Sequence, residues 1–139
     1  MNDRSVQCGF GEGIQRGLVL DDAVAFRRMM IELYGERCAV TGQPAGRGIE
    51  VFLFQPPAHG GALSTANALV VERAAASLLG RGLILISDDY LAFTPHPEII
   101  GATHDPEECP GRRLTLPDDV SLWPDRAMLS YHRSLFWAQ

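Results

Sequence analysis

The chain has 139 residues, of which 46% are hydrophobic and 21% are charged, so it is long enough to bury one core and has the composition of a globular domain. Its 17 acidic and 12 basic residues give a net charge of −5, which argues against binding of nucleic acid over the whole surface. No apolar run approaches the ~20 residues that span a bilayer. Residues 1–17 also lack the apolar segment of a secretory signal. We therefore expect one cytoplasmic domain with no membrane partner.

The first third of the chain predicts an extension followed by a helix. Residues 1–20 are rich in glycine and predict an N-terminal extension, either a flexible arm or an edge strand at 17–20, with the domain proper over residues 21–139. Asp22, with the aspartate before it, provides an N-cap signal. Apolar residues at helical spacing follow as far as Leu33, and Gly35 ends the predicted helix.

The middle of the chain predicts short strands and one more helix. Residues 38–42 predict a short strand that enters a turn, and residues 50–54 predict an apolar strand that two prolines end. Residues 67–71 predict another short strand. An alanine-rich helix is expected over residues 72–79, ended by Gly80.

The last third predicts a hairpin, a long loop and a final helix. Residues 83–87 and 90–94 predict the two strands of the hairpin, with an Asp-Asp turn between them. Residues 95–111 predict a long loop, and residues 114–116 a short strand. A helix is expected over residues 125–137, because a proline precedes an amphipathic stretch. The mixture of helices and short strands predicts an α+β domain.

The three cysteines, Cys8, Cys38 and Cys109, do not form a recognisable framework. An odd count without C-x-x-C spacing argues against both paired disulfides and a structural zinc site. Cys38 opens an apolar step and is expected to be buried as a small hydrophobic residue.

Four collinear segments carry a family resemblance. Residues 33–42 read LYGERCAVTG, 50–61 read EVFLFQPPAHGG, 65–71 read TANALVV, and 80–90 read GRGLILISDDY. In this order they resemble the HNH endonuclease family, in a bacterial branch that reads roughly YG.RCAVTG…LEAAHI.P…GG…SNGLLL…LH.LFDRGLI. The resemblance extends from about residue 26 to residue 136. It implies a ββα-metal core, with an N-terminal helix, an additional β-hairpin and a C-terminal helix around it.

The resemblance also implies which positions would carry the chemistry. In that family a histidine on the first strand acts as general base, and a histidine on the helix, often with a carboxylate near the first histidine, holds a divalent metal ion. An asparagine braces the loop between the strands. The aligned residues here are Leu53, Ala76 and Asn67, and the aspartate of the FDRG motif aligns with Gly80. Leucine cannot accept a proton and alanine cannot bind a metal, so the resemblance implies no catalytic residue, no metal and no cofactor.

These positions leave three hypotheses for function. The first is a non-catalytic HNH-like protein that associates with DNA or with a DNA-processing complex. Its candidate phosphate contacts are arginines, the only type of basic residue in the chain: Arg47, Arg73, Arg81, Arg112 and Arg113. The second is a homodimeric or other protein-interaction module without a nucleic-acid role. This hypothesis is motivated by apolar residues where the resembled family has its catalytic cleft, since Phe52 and Phe54 flank Leu53. A cleft that has become apolar must either repack or be covered by a partner.

The third hypothesis is an active nuclease with displaced ligands. His59 follows the first strand and is the candidate for a relocated base, although a solvated loop histidine is the simpler interpretation. A second group of metal-ligand types occupies the predicted long loop: His96, His104, Asp105, Glu107, Glu108 and Cys109. Their spacing fits no metal loop that we know. His132 on the last helix is expected to be a packed or interfacial residue.

Overall fold

The computed structural model describes residues 17–95 and 111–136. Within these stretches, three helices pack with one two-stranded and one three-stranded antiparallel sheet, and the predicted α+β class is confirmed. The helices are α1 (Ala23–Leu33), α2 (Arg73–Gly80) and α3 (Arg126–Phe136). The first sheet joins β1 (Ile49–Leu53) to β2 (Ala68–Glu72), and the second joins β3 (Leu85–Ile86), β4 (Leu91–Phe93) and β5 (Arg112–Arg113) in that order.

Helix α1 begins where the sequence predicts. The side chain of Asp22 accepts hydrogen bonds from the backbone N–H groups of Val24 (2.9 Å) and Ala25 (3.4 Å), which satisfies donors that the first helical turn leaves free. At the other end, Tyr34 caps the helix. The ring of Tyr34 is buried, and its hydroxyl has no hydrogen-bond partner in the described residues. Burial raises the pKa of this phenol.

The predicted order of strand, loop, strand and helix is confirmed in the segment from β1 to α2. The two strands pair antiparallel, with Ile49 opposite Glu72 and Leu53 opposite Ala68. Each strand begins one residue away from its predicted start, and Asn67 lies in a 3-10 turn just before β2. Because side chains alternate along a strand, Ile49, Val51 and Leu53 share one face of the sheet.

Two predicted short strands are wrong. Residues 38–42 form turns instead, and the segment ends at Gly42, which has a positive φ. Cys38 is buried, as expected. The strand expected at 114–116 lies two residues earlier, because Arg112 and Arg113 are the residues that pair with β4. Thr115 donates its N–H to the carbonyl of Ala39 (2.8 Å), so residues 38–42 and 114–116 are joined outside any sheet.

Helix α3 connects the two sheets. Its buried residues are Leu129 and His132. Before its first turn, Asp125 donates its backbone N–H to the carbonyl of Ala66 (2.8 Å), beside the first sheet. Near its end, Arg133 donates to the carbonyl of Ile86 (2.6 Å) in the second sheet. The helix therefore fixes the position of one sheet relative to the other.

The segment before α1 is attached to the domain through backbone hydrogen bonds. Leu20 donates to the carbonyl of Leu63 (3.0 Å), and Thr65 donates to the carbonyl of Leu18 (3.0 Å). Val19 forms an isolated antiparallel bridge with Ser64. Residues 18–20 thus resemble the edge strand considered from the sequence, and residues 1–16 of the predicted extension lie outside the described residues. In the described part of the chain, no helix has the length and apolar character needed to cross a membrane.

Candidate functional site

The loop between β1 and β2 is held by Asn67. Its side-chain oxygen accepts a hydrogen bond from the N–H of Gln55 (2.9 Å), and its amide nitrogen donates to the carbonyls of Gln55 (2.8 Å) and Ala62 (2.9 Å). Asn67 is fully buried. Gly61 closes the loop tightly, since a Cβ at that position would overlap the carbonyl oxygen of Gln55. These contacts are those of a brace between the two ends of the loop.

Leu53 lies on the face of the hairpin that α1 covers. Together with Val51 it lines a groove of about 430 Å³, to which α1 contributes Ala23 and Phe26. Leu53 is half-buried and packs against the hydrophobic core. The position at which the HNH resemblance would place a general base therefore holds an apolar side chain that packs against the core.

The opposite face of the hairpin is covered by α2 and α3 and is filled by aromatic rings. At the start of α2, Arg73 pairs with Glu50 on this face (3.1 Å). The ring of His132 packs edge-on against Phe52 (5.5 Å between centroids) and Phe54 (5.7 Å). The residue before Leu53, Phe52, is thus directed toward α3 and lies within an aromatic cluster, whereas Leu53 faces α1.

The side chains present do not fit a metal ion between the hairpin and α2. Phe52 and Leu53 offer no lone pair, and neither does Ala76, which lies one helical turn after Arg73 and packs against the core. Within residues 17–95 and 111–136, no three His, Cys, Asp or Glu side chains lie close enough together to hold an ion. The group of histidines and acids at 96–109 falls outside the described residues.

His132 is a packed histidine, as the sequence indicated. Its Nε2 lies 2.7 Å from the carbonyl oxygen of Leu79 at the end of α2, so Nε2 must carry the proton and donate it. Its Nδ1 is buried without a hydrogen-bond partner in the described residues. Burial lowers the pKa of His132, and the charge of Arg133 lowers it further, whereas the bond to Leu79 opposes both effects.

His59 lies at the end of a 3-10 turn in the loop between β1 and β2. Its side chain is exposed, and its Nδ1 lies 3.4 Å from the hydroxyl of Tyr131 on α3. Its backbone carbonyl accepts a hydrogen bond from the side chain of Gln55 (2.7 Å). A tyrosine hydroxyl is a weak partner for a general base, so this contact positions the ring without activating it strongly.

Of the arginines proposed from the sequence, the four with described side chains lie at the two ends of α2 and in β5. Arg73 lies at the groove beside β1, and Arg81 caps the C-terminal end of α2. Arg112 and Arg113 are adjacent in β5, so their side chains alternate in direction. The described side chains of these four residues are all exposed. Arg47 lies in the 3-10 turn Gly46–Gly48, where the structure describes its backbone alone.

One local pair of arginines does form, and it includes a residue that the sequence analysis missed. Arg112 donates to the carbonyl of Thr41 (3.0 Å), and Arg37 donates to the neighbouring carbonyl of Gly42 (3.1 Å). We call these two residues the Arg37–Arg112 pair. Arg37 stands directly before the CAVTG segment, and the two guanidinium groups are bonded to successive carbonyls of the 41–42 turn.

The fold is similar to that of a solved nuclease. A "Modification dependent TagI restriction endonuclease" matches this chain with a TM-score of 0.59 and 19% sequence identity, over 94% of this chain and 45% of that chain. The chain thus spans less than half the length of that enzyme. No protein-family model matches the sequence, and no curated protein matches it. The likeness shows a nuclease-like fold.

Proposed function

We propose that this chain is a non-catalytic HNH-type domain that associates with DNA or with a DNA-processing complex. The observation that carries the proposal is a nuclease-like fold in which the hairpin and helix present only apolar or aromatic side chains where the reaction would need a base and metal ligands. The positions are Leu53, Phe52 and Ala76. General-base and metal assistance each contribute several kcal/mol to such a hydrolysis, so loss of both removes measurable cleavage.

A plasmid-nicking assay tests the catalytic part of the proposal. Supercoiled plasmid is incubated with the protein and Mg²⁺, Mn²⁺ or Zn²⁺, and the expected amount of nicked product equals that of the buffer control. His59→Ala serves as the matched variant, since His59 is the exposed histidine beside the hairpin. Metal-dependent nicking that disappears in His59→Ala would mean that a relocated base operates, and the proposal would be wrong.

For DNA contact, the Arg37–Arg112 pair is the best supported site. Each guanidinium carries five N–H donors, and the hydrogen bonds to the backbone of residues 41–42 use one on each side chain. Both side chains are exposed, so the remaining donors are accessible to phosphate oxygens. The net charge of −5 means that contact depends on such a local patch rather than on the surface as a whole.

A gel-shift titration over a range of salt concentrations tests DNA association. We expect binding near ~50 mM salt that weakens as salt rises, because phosphate contacts release counterions. Arg37→Gln and Arg112→Gln should each reduce the slope of log K against log salt by about one. Arg28→Gln is the matched control, since it removes the same charge from the exposed side of α1. Absence of any shift, or equal effects of all three variants, would argue against this site.

A second candidate function is a protein-interaction module without a nucleic-acid role. It is favoured by the acidic net charge and by the apolar groove beside β1, which the described residues leave uncovered. The two candidates differ in a simple way. A failed gel shift combined with stable self-association supports the second, and a salt-dependent shift supports the first.

A further inference from the structure

The backbone of β1 has one side paired and one side open. Phe54 donates its N–H to the carbonyl of Asn67 (3.0 Å). This bond shows which residues of β1 direct their backbone groups toward β2. Backbone groups alternate in direction along such a strand, so those of Phe52 point toward β2 and those of Ile49, Val51 and Leu53 point away from it. The carbonyl of Ile49 follows this alternation, since it accepts a hydrogen bond from Arg27 (2.9 Å) on the side of β1 that faces away from β2.

The outer edges of the two strands differ. On β2, the carbonyl of Val70 accepts a hydrogen bond from the N–H of Ala39 (2.8 Å), so the turn at 38–42 covers that edge. On β1, the carbonyl of Ile49, which points away from β2, accepts a hydrogen bond from Arg27. The N–H and C=O groups of Val51 and Leu53 point the same way and have no hydrogen-bond partner in the described part of the chain. An open strand edge is a template for another strand.

The chemistry of this edge suits a strand rather than a compact ligand. The groove along it is lined by Phe26 and Leu63 as well as by the strand itself, with Arg27 and Arg73 at its rim. The strand reads IEVFL, which is rich in β-branched and aromatic residues. No proline, which natural proteins use to block such edges, occurs within it, and its charged residue, Glu50, is paired with Arg73.

We propose that β1 pairs antiparallel with β1 of a second copy of this chain, to form a four-stranded sheet across a two-fold axis. Because Arg27 occupies the carbonyl of Ile49, the new ladder uses the free groups of Val51 and Leu53. Val51 then lies opposite Leu53 of the second copy, and Phe52 lies opposite its own counterpart. Apolar side chains meet apolar side chains on one face and aromatic rings meet on the other, which are favourable cross-strand pairs.

Among the registers of self-pairing, the one centred on Phe52 fits best. A register centred on Glu50 would place two carboxylates directly opposite each other and would require the carbonyl that Arg27 already holds. The register centred on Phe52 avoids both costs and closes after two copies, so it does not extend into a fibre. The inference does not rest on DNA association, since the gel-shift and self-association experiments can fail separately.

Sedimentation equilibrium and amide hydrogen exchange test the pairing together. We expect a monomer–dimer equilibrium in which exchange at the N–H groups of Val51 and Leu53 slows as protein concentration rises. The N–H of Phe52 points toward β2 and should be protected at every concentration. A monomer at all concentrations would overturn the proposal. A dimer in which Val51 and Leu53 still exchange quickly would do the same.

Variants at the open edge provide the matched comparison. Leu53→Lys places a charge in the proposed interface, and Val51→Pro removes an outward N–H without touching the ladder to β2. Each should weaken dimerisation by about tenfold or more. Val24→Lys is the control, because Val24 is an exposed apolar residue of α1 (66% exposed) outside the ladder, and it should leave the dimer intact.

Circular dichroism establishes that each variant is folded before its dimerisation is interpreted. If Val51→Pro unfolds, Leu53→Lys and the exchange pattern decide the outcome. Dimers that persist in folded Leu53→Lys would overturn the proposal. A monomeric wild-type protein that instead binds an added extended peptide at this edge would also overturn it, in favour of a different partner.

Discussion

Asn67 and Leu53, both singled out by the HNH resemblance, have different roles in the structure. Asn67 makes three hydrogen bonds across the ends of its loop, so its role is to hold the loop geometry. Leu53 packs against the hydrophobic core. The resemblance correctly indicated the bracing residue, because the requirement for an amide at that position is local. It did not indicate that Leu53 faces α1 while Phe52 faces α3, because that depends on how the helices pack on the two faces of the hairpin.

Replacement of Asn67 by alanine should destabilise the fold strongly. The change leaves the backbone groups of Gln55 without their partners in a buried setting, and we expect the free energy of unfolding to fall by about 2–4 kcal/mol. Gln55→Ala is the control, since it removes one exposed hydrogen bond to His59 and should cost less than about 1 kcal/mol. Urea denaturation followed by circular dichroism measures both. Equal losses would show that the brace does not hold the loop.

At the scale of elements, His132 joins α3 to α2 and to the hairpin. Its Nε2 is bonded to Leu79, and its ring packs against Phe52, Phe54 and Phe136. The buried Nδ1 has no acceptor nearby in the described residues. Protonation of Nδ1 would therefore place a charged donor among aromatic rings. This junction is most stable while the imidazole is neutral.

The pH dependence of stability follows from that junction. Burial lowers the pKa of His132 in the folded state below its unfolded value of about 6.5, so its contribution is complete above that value and decreases as pH falls below it. We expect the free energy of unfolding to decline from pH 7.5 toward pH 5. In His132→Gln, which keeps a donor for Leu79 but does not titrate, this decline should be smaller. Identical pH profiles for the two proteins would contradict the assignment to His132.

Helices were predicted from sequence more reliably than short strands. Asp22 marks the start of α1 and a proline precedes α3, and both signals act within one turn of the chain. The strands expected at 38–42 and 114–116 are wrong because a strand requires a partner, and the partner of β4 is Arg112–Arg113. For the same reason, the sequence could not reveal the Arg37–Arg112 pair, whose two members are far apart along the chain and meet only in the folded protein.

At the scale of the whole molecule, α3 makes the two small sheets depend on each other. An isolated two-stranded sheet is marginally stable at best, and sheets this small gain stability by packing against a helix. The bond from Asp125 to Ala66 and the bonds from Arg133 to Ile86 and Asp88 attach the same helix to both. We therefore expect the described regions to unfold together.

A test of this dependence uses Arg133→Ala. Arg133 is only 19% exposed, and loss of its bond to the carbonyl of Ile86 should lower the free energy of unfolding by about 1–2 kcal/mol while keeping a single transition. Asp88→Asn is the control, because Asp88 is 60% exposed and its ion pair with Arg133 contributes less than about 1 kcal/mol. Near- and far-ultraviolet circular dichroism should report the same midpoint. Two separate transitions would show that the sheets are independent.

The unpaired hydroxyl of Tyr34 has a consequence at the alkaline extreme. Because burial raises the pKa of this phenol, the fold favours its protonated form, and that contribution is complete below the unfolded value of about 10 and is lost as the solution becomes more basic. His132 sets the corresponding limit in acid. Burial of one phenol and one imidazole thus favours the uncharged form of each, so the fold loses stability from these two groups in strong base and in acid respectively.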